Sequence, residues 1–233
     1  MAGTAGVADR SRPRRGHAVR WTLAGCVHGL HLEVPCVPAI LDRVSTARRL
    51  HHRYQDYLRA LELSAVKLEY CEGEIYAMAD GTPAHADLAA STTRLLGNGL
   101  LGRCRVSSSD LKLRIEATDL STFPDVTVVC GTREVSPIDA NAVTNPTLLV
   151  EVTSSSTEDY DRGDKLGHYK QLPSLVAVLF VSHRRPQVTV IERTSSGWQQ
   201  REHRAGESVV LESPSVTFAV DELYAGIELD AER

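Results

Sequence analysis

The sequence predicts an α/β fold: a mixed central β-sheet flanked by helices, with extra β-hairpins at the C-terminal end. Three observations carry that prediction. Helical and strand-like segments interleave through the middle of the chain, the order that gives one mixed sheet with covering helices. The run SLVAVLFVS (residues 174–182) is almost wholly apolar, as a strand buried on both faces must be. After residue 186 the chain alternates in short pieces, QVTVIER, GWQQREHR, SVVLE and VTFAV, which suggests hairpins closing one side of the sheet.

Taken in order, residues 1–20 are rich in Arg, Gly and Ala without periodicity, and residues 21–45 hold apolar pieces in no single pattern. We read 1–45 as a basic, partly disordered N-terminal extension and 46–233 as the folded domain. From Thr46 to Leu63, apolar residues at Leu50, Tyr54, Tyr57, Leu58 and Leu61 fall three and four apart, a helical stripe. KLEYCEGEIYAMA alternates on either side of Glu72-Gly73, the mark of a hairpin. In GTPAHADLAASTTRLLGNGL, Thr82 and Pro83 open a helix and Gly97 and Gly99 end it; Leu88, Leu95 and Leu96 are its apolar contacts. CRVSSSDLKLRIEA alternates with period two around a polar interruption. PDVTVVC and TLLVEVTS read as strands, and EDYDRGDKLGHYKQL as a helix weakened by Gly163 and Gly167.

Composition narrows the class. With 42% apolar and 24% charged residues, and no apolar run near the ~18 needed to span a bilayer, the chain reads as soluble, with no membrane partner. The basic start lacks an apolar signal core, so no secretory leader is expected. Five scattered cysteines, without a CxxC pair, indicate neither a zinc knuckle nor a disulfide framework and fit a reduced, cytoplasmic setting. Charge is uneven: residues 1–60 hold ten arginines and four acids, +6, so a chain total of −4 leaves −10 beyond. An acidic body argues against a passive nucleic-acid binder held by charge alone. It suits a carboxylate-lined site that needs cations.

Three acids stand in strand-like contexts: Asp110 in SSDLKLRI, Asp125 in FPDVTVV and Glu151 in LLVEVTS. Glu151 is the hardest to leave to solvent, because Leu148, Leu149 and Val150 precede it and Val152 follows. A buried carboxylate needs a compensator: an arginine, a backbone cap or a metal ion. A hard divalent cation removes the repulsion between acids on neighbouring strands and can stabilise charge on a phosphate. Taken alone, Asp110 reads better as a cap on a strand start or a partner of the Ser107–Ser109 backbone. Lys165, His168 and Tyr169 would share one helix face, where a lysine could offset developing oxyanion charge. No G-x-S-x-G elbow or Walker loop is present, and GNGLLG follows a helix rather than a strand.

The blocks VKLEYCEGEIYAMADGTPAHADLAASTTRLL, SSDLKLRI, TFPDVTVVCG and NPTLLVEVTSSSTEDYDRGDKLGHYKQLPSL resemble, in order and spacing, the Uma2 family. These are restriction-endonuclease-like proteins with a PD-(D/E)XK nuclease core. The likeness covers roughly residues 50–228. It implies a restriction-endonuclease-like core and a divalent-metal-dependent endonuclease that hydrolyses DNA with Mg²⁺ or Mn²⁺. Asp125 would be the "PD" aspartate and Glu151 the following carboxylate, both metal ligands, with Asp110 as a third. Thr153 stands where the motif's lysine is usual, so Lys165 on the next helix would take that role. Glu69, Glu74, His85 and Tyr169 match further family positions as supporting groups. The resemblance also implies a homodimer. The rival expectation is a catalytically inactive nucleic-acid-binding or regulatory module on the same fold, for which the broken E-x-K spacing leaves room.

Overall fold

The computed structural model describes residues 51–78, 81–154 and 158–230; the N-terminal extension read from the sequence lies outside them. The first described helix, α1, spans Tyr54–Leu63; of the predicted helical stretch from Thr46, residues 46–50 lie outside the described residues. Arg53 is extended, and its N–H donates to Asp56 Oδ2 at 3.2 Å, which stops the helix there. Tyr54 and Tyr57 are buried and meet Tyr70 with ring centroids 5.4 Å apart. Next come β1 (Leu68–Cys71) and β2 (Glu74–Ala77), the predicted hairpin. Its turn places Glu72 at φ 48° and Gly73 at φ 87°. Both central residues are left-handed, which matches the twist of the flanking strands.

Helix α2 (Pro83–Gly99) starts where the sequence predicts: Thr82 Oγ1 accepts from the His85 N–H at 3.2 Å, and Pro83 opens the first turn. The alternating stretch after it divides. β3 (Cys104–Ser108) and β4 (Lys112–Ile115) belong to different sheets, joined by a turn at Ser109–Leu111. β5 (Leu120–Thr122), β6 (Val126–Cys130), β7 (Val135–Ser136), β8 (Asp139–Val143) and β9 (Leu148–Val152) follow. A helical connection runs through α3 (Glu158–Tyr160), a π-helical turn (Asp161–Lys165) and α4 (Leu166–Tyr169). Beyond it lie β10 (Ala177–Val181), β11 (Gln187–Thr194), β12 (Gly197–Arg204), β13 (Ser208–Glu212), β14 (Ser215–Ala219) and α5 (Val220–Tyr224).

Among the described residues, the strands build two six-stranded mixed sheets, ordered β2-β1-β5-β4-β8-β7 and β12-β11-β10-β9-β6-β3, with β13-β14 as a separate pair. The expected mixed sheet, its flanking helices and the C-terminal hairpins are present, and the second six-stranded sheet is additional. β9 and β10 run parallel, with the helical segment 158–169 as their crossover. Every residue of β10 is buried, as its apolar run requires. One face of its sheet packs under α2, α5 and the β13–β14 pair, through Leu88, Leu96, Val150, Val209, Phe218 and Leu223. The other face carries Leu149, Phe180 and Tyr169 against Leu113, Ile115 and Leu120 of the first sheet.

One expectation is corrected. Cys104 and Cys130 face each other across the β3–β6 ladder, Cα atoms 4.1 Å apart, and form a disulfide. Their separation of 26 residues gave no sign of a pair, since only the strand register makes them neighbours. Among the described residues, no helix is long and apolar enough to cross a membrane.

Candidate active site

In β9, Leu148, Val150 and Val152 point into the core under α2, which sends Leu149 and Glu151 to the opposite face. Glu151 is 4% exposed there. Its compensator is neither an arginine nor a cap. Lys165 Nζ lies 3.0 Å from Oε1, and the Tyr169 hydroxyl donates to the same oxygen. Lys165 is buried too, with Glu69 Oε1 and Asp161 Oδ1 each 3.4 Å from its ammonium. Burial alone would lower the Lys165 pKa, but Glu151, Tyr169, Glu69 and Asp161 hold it well above its ordinary value. Burial pushes Glu151 up to about 8; Lys165 opposes the rise, while Asp125 and Asp161 add to it.

The π-helical turn accounts for this convergence. It spans Asp161 to Lys165 and sets both side chains inward, whereas Arg162, Gly163 and Asp164 between them stay outside the core. Such turns occur often at functional sites. Thr153, at the position usual for a motif lysine, is buried, with Oγ1 3.0 Å from His183 Nδ1. The ammonium therefore reaches Glu151 from the crossover helix and not from the strand.

Asp125 sits just before β6. The β6–β9 register, with Val126 opposite Val150, carries it alongside Glu151 when continued by one step. Its Oδ2 accepts from the Val152 N–H at 2.7 Å and lies 3.2 Å from His85 Nε2. That hydrogen bond raises the His85 pKa against the effect of burial, favouring imidazolium beside the carboxylate. Asp125, Glu151, Lys165, Glu69 and His85 all line one cleft of about 1840 Å³.

Two predicted groups fall elsewhere. Asp110 does not join Asp125 and Glu151. Its side chain is 87% exposed and pairs with Lys67 Nζ at 2.9 Å. The reason is the corner at which the chain leaves one sheet for the other: continuing the β3–β6 register past Ser108 and Val126 sets Ser109, not Asp110, opposite Asp125. Glu74 accepts a hydrogen bond from the Tyr76 hydroxyl at the hairpin, and the carboxylates within reach of Lys165 among the described residues are Glu69, Glu151 and Asp161. Asp161 escaped the sequence reading, although its i, i+4 spacing to Lys165 was a visible signal.

Among the described residues no group of three or more His, Cys, Asp or Glu side chains is arranged to hold a metal. Two carboxylates on neighbouring segments remain, Asp125 and Glu151. That hard-oxygen pair fits Mg²⁺, which takes one or two carboxylates and fills its other positions with water and substrate phosphate.

The comparisons with known proteins bear on this cleft. Residues 54–222 match the family model of Uma2, described as "Putative restriction endonuclease". This chain belongs to the Uma2 family. It is 36% identical over 175 residues to the uncharacterized protein slr1290 of Synechocystis sp., covering 74% of this chain and 91% of that one. It is 32% identical over 127 residues to the uncharacterized protein sll1609 of the same organism, covering 54% and 72%. The fold is similar to that of a crystal structure described as a putative nuclease belonging to DUF820 from Anabaena variabilis. The TM-score is 0.62 at 14% identity, over 74% of this chain and 98% of the other. The Uma2 match spans every cleft residue named above.

Proposed function

We propose that this Uma2 protein is an endonuclease that hydrolyses DNA phosphodiester bonds, using Mg²⁺ or Mn²⁺ held by Asp125 and Glu151. The observation that carries the reading is the buried Glu151–Lys165–Tyr169 cluster beside Asp125 on the wall of an open cleft. When bound, the ion supplies an activated water and charge neutralisation at the phosphate. The protein's own groups do the rest. Lys165, held as an ammonium among the acids Glu151, Glu69 and Asp161, offsets charge that builds on the phosphoryl oxygens. Tyr169 fixes one oxygen of Glu151, so the other faces a defined direction. Val152 and His85 fix Asp125 in the same way. The charges thus start close to where the reaction needs them, which limits reorganisation at the transition state.

The test is cleavage of supercoiled plasmid by the purified full chain with Mg²⁺ or Mn²⁺. Wild type should nick and linearise it. Glu151→Gln and Lys165→Met should each lower the rate by about 10²-fold or more, the scale seen when a transition-state charge partner is removed. DNA affinity in EDTA should change much less, because only the transition state feels the full loss. Unimpaired cleavage by Glu151→Gln would falsify the assignment.

A further inference from the structure

The cleft described above is poor in available positive charge. Lys67 is paired with Asp110, Arg94 with Glu222 and Lys165 with Glu151. Beyond residue 60 the chain carries a net −10. A polyanionic substrate would therefore need cations that no carboxylate already holds. Two such arginines meet at one strand: Arg105 stands on β3, and Arg133 reaches it from the loop between β6 and β7. Arg105 donates through Nη1 to the Gly131 carbonyl at 3.2 Å. Arg133 donates through Nη2 to Ser107 Oγ at 3.1 Å, and its Nε is buried without a hydrogen-bond partner. Neither has a carboxylate within ion-pair distance among the described residues.

Their placement is directional. β3 is the edge strand of its sheet. Cys104 and Val106 pack toward the α2 core, so Arg105 and Ser107 face the other way. Ser107 pairs with Thr127, and Thr127 with Leu149, whose face also carries Glu151. Arg105, Ser107 with its Arg133, and then Ser109 in the cleft wall thus form one row on the face of Asp125 and Glu151. At about 3.4 Å per residue, Arg105 stands about 10 Å along the strand from Ser108, the last residue of β3 and part of the cleft wall.

We propose that Arg105 and Arg133 form a phosphate-backbone track on the β3 edge that leads a nucleic-acid strand into the cleft. The inference rests on the phosphodiester reading of that cleft and adds the binding surface. Guanidinium groups suit it, because they present paired donors to phosphate oxygens and stay charged at any working pH.

The test is fluorescence anisotropy of a short fluorescein-labelled duplex with the full chain in EDTA, across a salt series. With Arg105→Gln and Arg133→Gln combined, affinity should fall roughly tenfold and the slope of log K against log salt should shrink by about 1.8, since each lost phosphate contact removes about 0.9. Arg105→Lys with Arg133→Lys should restore the slope. Arg201→Gln with Arg204→Gln, on the opposite edge strand β12 and already paired with Glu192 and Glu202, should leave both quantities unchanged. An unchanged slope in the β3 variant, an equal loss in the β12 variant, or no salt-dependent binding by wild type would overturn the track. Because EDTA removes hydrolysis from the measurement, the two ideas fail separately. Binding through these arginines without plasmid cleavage in Mg²⁺ or Mn²⁺ defeats the nuclease reading alone, and cleavage with an unchanged slope defeats the track alone.

Discussion

Glu151 is where burial and charge conflict most sharply, and its protonation has consequences for stability. Its folded pKa, about 8, lies above the ordinary carboxylate value of 4.5, with burial as the main cause. The folded state therefore holds a proton that the unfolded chain releases between those values. Stability from this group is fully present below pH 4.5 and is lost as pH rises toward 8. Thermal melts of the metal-free protein from pH 5 to 9 should show that decline, and Glu151→Gln should flatten much of it. An identical slope in the variant would mean that other groups control it. The same residue shows what the sequence made legible. A glutamate inside LLVEV needs a partner in any fold, so Glu151 stood out. Asp125 and Lys165 stood out as a strand acid and a helix-face lysine, and the likeness to Uma2 blocks added the roles expected of them. Asp161 was passed over because an acid in a polar helical segment looks like a solvated charge until a π turn sends it inward. Asp110 misled because the alternating runs on either side of SSSD belong to different sheets, so an acid at the corner between them reads as a strand acid.

Elements were legible where local chemistry alone decides them. Thr82-Pro83 opens α2 because a hydroxyl cap and a missing N–H both suit a helix start. The Glu72-Gly73 hairpin forms because Gly73 takes left-handed backbone without a Cβ penalty, and the turn carries Glu72 into that region beside it. β5, β7 and β8 were missed; they are two to five residues long, and their pairing is specified by neighbours distant in sequence. α1 opens at Tyr54 because the Arg53–Asp56 cap forms there, a stop that the apolar stripe in the sequence does not mark. Two glycines separate turn chemistry from helix propensity. At Gly73 (φ 87°) an added Cβ would lie 2.2 Å from His51 Nδ1. Gly73→Ala should cost about 2 kcal/mol, from left-handed strain with displacement of the ring added. That corresponds to a Tm lower by about 4–8 °C for a domain of this size. At Gly163 an added Cβ meets nothing within 4 Å, and its φ is not positive. Gly163→Ala should raise Tm slightly, by up to about 1 kcal/mol of helix propensity. Differential scanning calorimetry of both variants checks the contrast, and equal shifts would refute it.

At the scale of the whole molecule, the central fact is that an acidic body gathers carboxylates on the wall of one cleft and shares very few cations among them. The expected single sheet became two because each half of an alternating stretch can satisfy its own face, and period alone does not say which sheet receives it. What does follow from the charge is a metal effect. Asp125 raises the Glu151 pKa, so any cation between the two carboxylates removes a penalty that the folded protein otherwise bears. Mg²⁺ should therefore stabilise the fold even without substrate. At a hundredfold excess over its dissociation constant the gain is about 2.7 kcal/mol, or about 5–10 °C in Tm. The gain should grow from pH 6 to 9, as Glu151 becomes easier to ionise and no longer asks the ion to displace a proton. Asp125→Asn or Glu151→Gln should each abolish most of it. Asp110→Asn should leave it intact, since that carboxylate is exposed and paired with Lys67 outside the site. Melting curves with and without Mg²⁺ at each pH decide the matter, and a gain that survived loss of both Asp125 and Glu151 would place the ion elsewhere.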